Sequence, residues 1–314
     1  MRLNRPPLPQ LGGELFLTDA GMETVLIFYD GVELPCFASF PLLETEEGRG
    51  WLRAYFRPFL RLARDRHAGF ILDTVTWRAN TDWGARLGYN AAALDRVNRE
   101  AVAFAVELAR EFAGPANPVL VNGVIGPRGD AYRPATFMAA DEAERYHAVQ
   151  IATLADTAAD MVSALTLTYV DEAIGIARAA AAHDIPAVLS FTVETDGRLP
   201  SGETLPEAIE AVDRATDAAP AYYMINCAHP SHFAGVLGEE GAWRTRVWGV
   251  RANASAKSHA ELDEATAIDA GDPLALAADY QALRAALPRL RVLGGCCGTD
   301  FRHVEAIASA WAAP

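Results

Sequence analysis

Short apolar runs rich in β-branched residues alternate along the chain with longer stretches whose apolar positions recur at helical spacing. This is the pattern of repeated βα units around a parallel sheet. Eight runs predict strands, at 15–18, 70–75, 119–125, 161–167, 187–193, 222–226, 247–250 and 291–294, each bounded by turn or capping residues. Helices are predicted between them at 45–67, 91–113, 141–158, 171–183, 205–218, 273–287 and 300–312, with a shorter one at 230–238. Start signals support them: Thr45 precedes Glu46 and Glu47, Thr204 stands before Pro206, and Asp272 precedes Pro273. A side-chain oxygen at such a position satisfies a free backbone N–H, and proline suits the first turn. The polar stretch 251–271 predicts a long loop, a candidate mobile lid.

Eight strands predict a closed (β/α)8 TIM barrel, with residues 1–314 forming a single domain of a size common among α/β barrels. A doubly wound open sheet competes with it. That fold usually brings a glycine-rich phosphate loop after its first strand, and Thr18-Asp19-Ala20-Gly21-Met22-Glu23 is not one. In a barrel, chemistry gathers where the βα loops converge, at the C-terminal ends of the strands.

Composition removes several partners. Acidic residues outnumber basic ones 41 to 27, for a formal charge of −14, and the arginines are not gathered into a stripe. A nucleic-acid partner is therefore not expected. No run reaches the roughly 18 to 20 apolar residues of a membrane span, and the start MRLNRPPLPQLGG has no apolar signal core. The expectation is a cytoplasmic protein with no membrane partner; oligomeric state has no signature in the chain. Four cysteines in 314 residues do not make a disulfide scaffold, and two are adjacent, which favours metal-binding thiolates in a reducing compartment.

Cys227 closes the run YYMINC, and Cys296 and Cys297 close RVLGGCC, so two predicted strands deliver thiols to one barrel face. Adjacent cysteines pair with each other only in a strained ring, whereas Gly294, Gly295 and Gly298 let the backbone turn both sulfurs toward one ion. Three thiolates suit Zn²⁺, whose catalytic sites keep a fourth position open. A substrate thiol entering that position loses its proton and attacks a methyl group on a positively charged sulfur or nitrogen, a displacement that needs alignment more than an acid–base pair. Small buried hydrophobes are the plain alternative. That alternative is kept for Cys36, in LPCFASF, which has no partner in sequence.

At these residues the sequence resembles the homocysteine S-methyltransferase family. The resemblance runs nearly end to end, through LTDAGMETVL (17–26), DTVTW (73–77), NGVIGPRGD (122–130), SFTVETDGRLPSGETL (190–205), INCAHP (225–230) and GGCCGTD (294–300). It implies a (β/α)8 barrel with zinc on Cys227, Cys296 and Cys297. It also implies a substrate region at Asp19, Gly21 and Met22, where a carboxylate can take the ammonium of an amino-acid thiol. Asn226 and Asn253 are candidate donors to a substrate carboxylate, and Thr76 and Thr168, near strand ends, join the candidate substrate-binding residues. Two departures stand out. In ALTLTYVDEA, Leu167 aligns with the glutamate that holds the homocysteine amine in the family, which implies a shifted thiol specificity; Thr166, Thr168, Glu23 and Glu194 are the candidate replacements. The element that usually reads like YPNAG is RANAS, which places Arg251 beside the barrel mouth, where an arginine can pair with a carboxylate in bidentate fashion; an ion-pair residue at the surface is the expected reading.

Trp77, Trp83 and Tyr169 follow predicted strands, and aromatic faces attract onium groups. His229 and His232 lie near Cys227 but are expected to open a short helix, and the GPRGD loop at 126–130 is a weak phosphate candidate. The expected activity is methyl transfer from S-methylmethionine, S-adenosylmethionine, betaine or a similar onium donor to homocysteine or a related small thiol, yielding a thioether such as methionine. A zinc hydrolase or lyase on the same barrel, and a zinc- or thiol-binding protein without turnover, are the alternatives.

Overall fold

Eight parallel strands close into a ring in chain order. They are β1 (Phe16–Leu17), β2 (Gly69–Asp73), β3 (Val119–Ile125), β4 (Met161–Leu167), β5 (Ala187–Phe191), β6 (Tyr222–Asn226), β7 (Val247–Ala252) and β8 (Val292–Gly295). A computed structural model describes residues 5–132, 136–238 and 240–312, so the first four residues of the amino-terminal stretch and the last two of the expected domain lie outside it. Closure is direct: Phe16 and Leu17 pair with Val292 and Leu293 on one side and with Gly69 and Phe70 on the other. The architecture is thus the expected (β/α)8 barrel.

Helices alternate with the strands. They are α1 (Met22–Phe28), α2 (Glu46–Asp65), α3 (Thr81–Arg86), α4 (Ala91–Phe112), α5 (Ala140–Ala155), α6 (Val170–Ala182), α7 (Leu205–Thr216), α8 (Pro230–Phe233), α9 (His259–Asp263), α10 (Pro273–Ala286) and α11 (Phe301–Ala312). The three expected starts are caps. The Thr45 side chain accepts from the Gly48 amide, Asp272 from Leu274, and Thr204 forms a reciprocal capping box with Glu207. Such a cap contributes about 0.5–2 kcal/mol. Two short helices, α1 and α3, arise where sequence periodicity predicts only loop, because six or seven residues are too few to show a helical repeat. The stretch 251–271 likewise contains α9, opened by a capping box between Ser258 and Glu261.

The core has two parts. One lies between the sheet and the surrounding helices. The other fills the barrel itself at the N-terminal ends of the strands, with Phe16, Ile71, Leu120, Met161, Val188 and Tyr222, and Leu8 packs into it. The C-terminal ends carry a polar layer instead, containing Asp19, Asp73, Asn122, Asn226 and Arg251, all buried. No helix among the described residues is long and apolar enough to cross a membrane.

Candidate metal centre and binding cavity

Two strand ends bring three sulfurs together. Cys227 follows β6 in the left-handed conformation, φ 58°, which costs a non-glycine residue on the order of 1–3 kcal/mol unless its surroundings hold it. Its carbonyl is so held: Asn253 Nδ2 donates at 2.9 Å, His259 Nε2 at 2.8 Å and Thr192 Oγ1 at 3.3 Å. Cys296 and Cys297 follow β8 in a turn that Gly298 leaves at φ 78°. Gly21 packs against this turn so closely that a Cβ there would lie 2.5 Å from the Cys296 carbonyl oxygen.

The three Sγ atoms lie within 4.8 Å of one another, and Cys227 and Cys297 are 3.6 Å apart as free thiols. Zinc–thiolate bonds of about 2.3 Å at tetrahedral angles separate sulfurs by about 3.8 Å, so the donor set fits that ion. Hydrogen bonds from Cys227 and Cys297, helped by the Arg251 charge, hold the Cys296 thiol well below its ordinary range, and the donor Cys227 is pushed well above it. The Tyr132 hydroxyl sits 2.9 Å from Cys227 Sγ and 3.7 Å from Cys297 Sγ, its ring stacked on His259 with centroids 4.2 Å apart. The far nitrogen of that imidazole, Nδ1, is 3.1 Å from Glu194.

Arg251, on β7, is buried inside the barrel and is not the surface residue expected from RANAS. The reason is the length of β7, which runs two residues beyond its predicted end and carries the side chain into the ring. The guanidinium binds Asp19 Oδ1 at 2.5 Å and Asp73, and Nε donates to the Gly295 carbonyl at 3.2 Å. Asn122 Nδ2 donates to Asp73 at 2.7 Å and Tyr55 to Asp19 at 3.2 Å. Burial pushes Asp19 up to about 7 against the pull of Arg251, while the two carboxylates raise Arg251 despite its own burial. Arg251 faces two carboxylates and is the fixed charge among them.

A cavity of about 500 Å³ opens at this end of the barrel, and Cys227, Cys296 and Cys297 all line it. Its wall includes Asp19, Gly21, Met22 and Asn226 among the expected substrate residues. Asn226 is fixed by Thr166 and Ser190, and its Nδ2 reaches to 3.9 Å from Cys296 Sγ. Thr76, Thr168 and Asn253 are buried and absent from the wall: Thr76 bonds Thr74 and the Val124 carbonyl, and Asn253 supports Cys227. Leu167 is also off the wall, packed in the core beside Phe191, and Leu165 and Thr166 take its expected place. The displacement has a local cause, a register shift between Ala164 and Leu167 with Thr166 at φ 64°. Of the candidate carboxylates, Glu23 lines the cavity, accepting from Ser39 at 3.0 Å, whereas Glu194 serves His259.

Trp77 and Trp83 do line the cavity, but the Arg78 guanidinium lies 4.1 Å and 3.9 Å from their ring centroids. Tyr169 is off the wall, its hydroxyl accepting from the Met138 amide. His229 caps α8, His232 bonds the Ala256 carbonyl, and Arg128 of the GPRGD loop is paired with Asp82 and Glu142. Cys36 is exposed and on the wall, contrary to its expected burial, because a tight turn over Pro35–Phe37 puts it at φ 58°. Tyr132, His259 and Arg78 are residues that sequence patterns alone do not single out. Only His259 has a local signal, the capping box that opens α9.

Comparison with known proteins agrees with this geometry. A family model described as homocysteine S-methyltransferase matches residues 16–311. Among solved structures, the chain is similar to the homocysteine methyltransferase MmuM from Escherichia coli. The metallated form is 19% identical with a TM-score of 0.71, covering 95% of this chain and 96% of that one. The oxidized form is 21% identical with a TM-score of 0.73, covering 94% and 95%. At such identity the structures speak for the fold, and the family model carries the assignment. No curated protein matches the sequence. From the match over residues 16–311, the chain is a methyltransferase that belongs to the homocysteine S-methyltransferase family.

Proposed function

We propose that this protein transfers a methyl group from an onium donor to homocysteine or a related small thiol, with zinc held by Cys227, Cys296 and Cys297. One observation carries the reading: three free thiols from two strand ends lie within 4.8 Å of one another on the wall of the cavity. The metallated form of MmuM supports it. When bound there, zinc supplies a thiolate at neutral pH.

The chain's own residues do the rest. Asn253, His259 and Thr192 fix the strained Cys227, and Gly21 lets the first βα turn close against Cys296. Asp19 and Asp73 are committed to Arg251; among the other carboxylates on the wall, Glu23, in α1 and near enough to Cys296 to feel its charge, is the one we assign to the ammonium of an amino-acid thiol. Leu165 offers an apolar wall where a second carboxylate would otherwise read that amine. In the reaction, the acceptor sulfur bonds to the methyl carbon as the carbon–onium bond breaks. The electron pair leaves with a neutral sulfide or amine, and the thiol proton passes to solvent. S-methylmethionine, S-adenosylmethionine and betaine are the donors of suitable charge, and free thiols of this kind suit a reducing cytoplasm.

Zinc content and thiol-dependent methyl transfer, measured on wild type beside Cys296→Ser, test the reading. We expect one zinc per chain and product formation in the wild type, with transfer reduced at least about a thousandfold in the variant as the open metal site is lost. Anaerobically prepared, reduced wild type without zinc would overturn it.

A further inference from the structure

Taking the cavity to be the substrate site of that reaction, we propose that Arg78, held between Trp77 and Trp83, forms a subsite for a substrate carboxylate. Arg78 is 6% exposed and lines the cavity. Of its three nitrogens only Nη1 has a partner among the described residues, the Gly129 carbonyl at 3.1 Å. Nε has none, and neither does the indole nitrogen of Trp83, another buried donor on the same wall. No described carboxylate forms an ion pair with Arg78, although Asp130 and Glu23 are near enough to act on its charge.

Buried cations are ordinarily matched by carboxylates, since an unmatched charge out of water is costly. Arg251, in the same cavity, shows the matched arrangement. The two indole rings pack against the Arg78 guanidinium and restrict its movement without consuming its donors. Nε is enclosed, so the edge open to a ligand is that of unpartnered Nη2 and the second N–H of Nη1, which in a largely apolar cavity can bind a carboxylate in bidentate fashion. Burial lowers Arg78 only to about 10, so it enters this role as a cation at neutral pH. With Glu23 on the same wall, the cavity offers both signs, as a zwitterionic amino acid requires. Acceptor and donor can each bring such a carboxylate.

The test compares substrates with and without that group. Homocysteine is paired with 3-aminopropane-1-thiol, its counterpart lacking the carboxylate, and S-methylmethionine with (3-aminopropyl)dimethylsulfonium, which likewise lacks only that group. Each pair is run on wild type, Arg78→Gln and Arg78→Lys. We expect the wild type to prefer the carboxylate-bearing member of one pair by roughly 10- to 100-fold in kcat/KM, as for a charge-assisted hydrogen bond. Arg78→Gln then erases the preference and Arg78→Lys, which keeps the charge and loses the fork, retains part of it. The pair that responds names the source. No wild-type preference in either pair, or an equal slowing of all four compounds in Arg78→Gln, overturns the proposal. A wild type without the preference overturns the proposal even where Arg78→Gln fails to fold, and Arg78→Lys then reads whether the preference lies with Arg78. If no thiol is methylated at all, tryptophan fluorescence titration with the same four compounds separates the two ideas. Tighter binding of the carboxylate-bearing members keeps the subsite while methyl transfer falls, and equal binding removes the subsite.

Discussion

Two buried arginines share one cavity and are held in opposite ways. Arg251 has two carboxylates and a backbone carbonyl around it, and its charge is used up inside the fold. Arg78 has one carbonyl, two aromatic faces and donors left over. Charge and burial alone therefore do not distinguish a structural arginine from one available to a ligand. The state of the surrounding acceptors does, because a guanidinium whose every nitrogen already donates to the fold offers a substrate no free edge.

The largest effect that can break this contrast is expected at Arg251. Arg251→Met leaves Asp19 and Asp73 buried without their counter-charge, and we expect a loss of about 3–5 kcal/mol in urea unfolding. A loss below about 1 kcal/mol would mean that the carboxylates find another partner or simply take up protons. Arg78→Met should be milder. It forfeits one hydrogen bond and the aromatic contacts but relieves an unmatched buried charge, so stability should stay within about 1 kcal/mol of wild type. If it costs as much as Arg251→Met, both arginines are structural and the contrast collapses. Smallest is Trp83→Phe, which keeps an aromatic face of weaker cation affinity. We expect a change of about 0.5 kcal/mol in stability and about twofold in any carboxylate preference, read from the same urea and kinetic measurements.

What could be read from sequence was what local chemistry sets. Strand number, the caps at Thr45, Thr204 and Asp272, and the placement of Cys227, Cys296 and Cys297 at strand ends all follow from residues close together in the chain. The side-chain direction of Arg251 depends on where β7 stops, which its pairing with β8 decides. Likewise the exchange of Leu167 for Leu165 on the wall comes from an irregularity between β4 and β5. Trp77 and Trp83 looked free to meet an onium group because nothing in DTVTW shows that the next residue lies between the two rings. Tyr132, in the loop after β3, and His259, which opens α9 after β7, meet beside the cysteines, an encounter between residues too distant along the chain for any local pattern to announce it.

The adjacent cysteines follow β8, which is joined to β6, the strand ahead of Cys227, through β7. Were β7 to part from either neighbour, Cys227 would lose the fixed partners with which to hold an ion. An intact β6–β7–β8 unit and a complete thiolate triangle thus go together, and any ion bound by all three sulfurs draws on the same free energy that keeps these strands in register. Occupancy of the triangle then acts as a latch on that side of the barrel, with a stabilisation that grows as the logarithm of the ion's concentration over its dissociation constant.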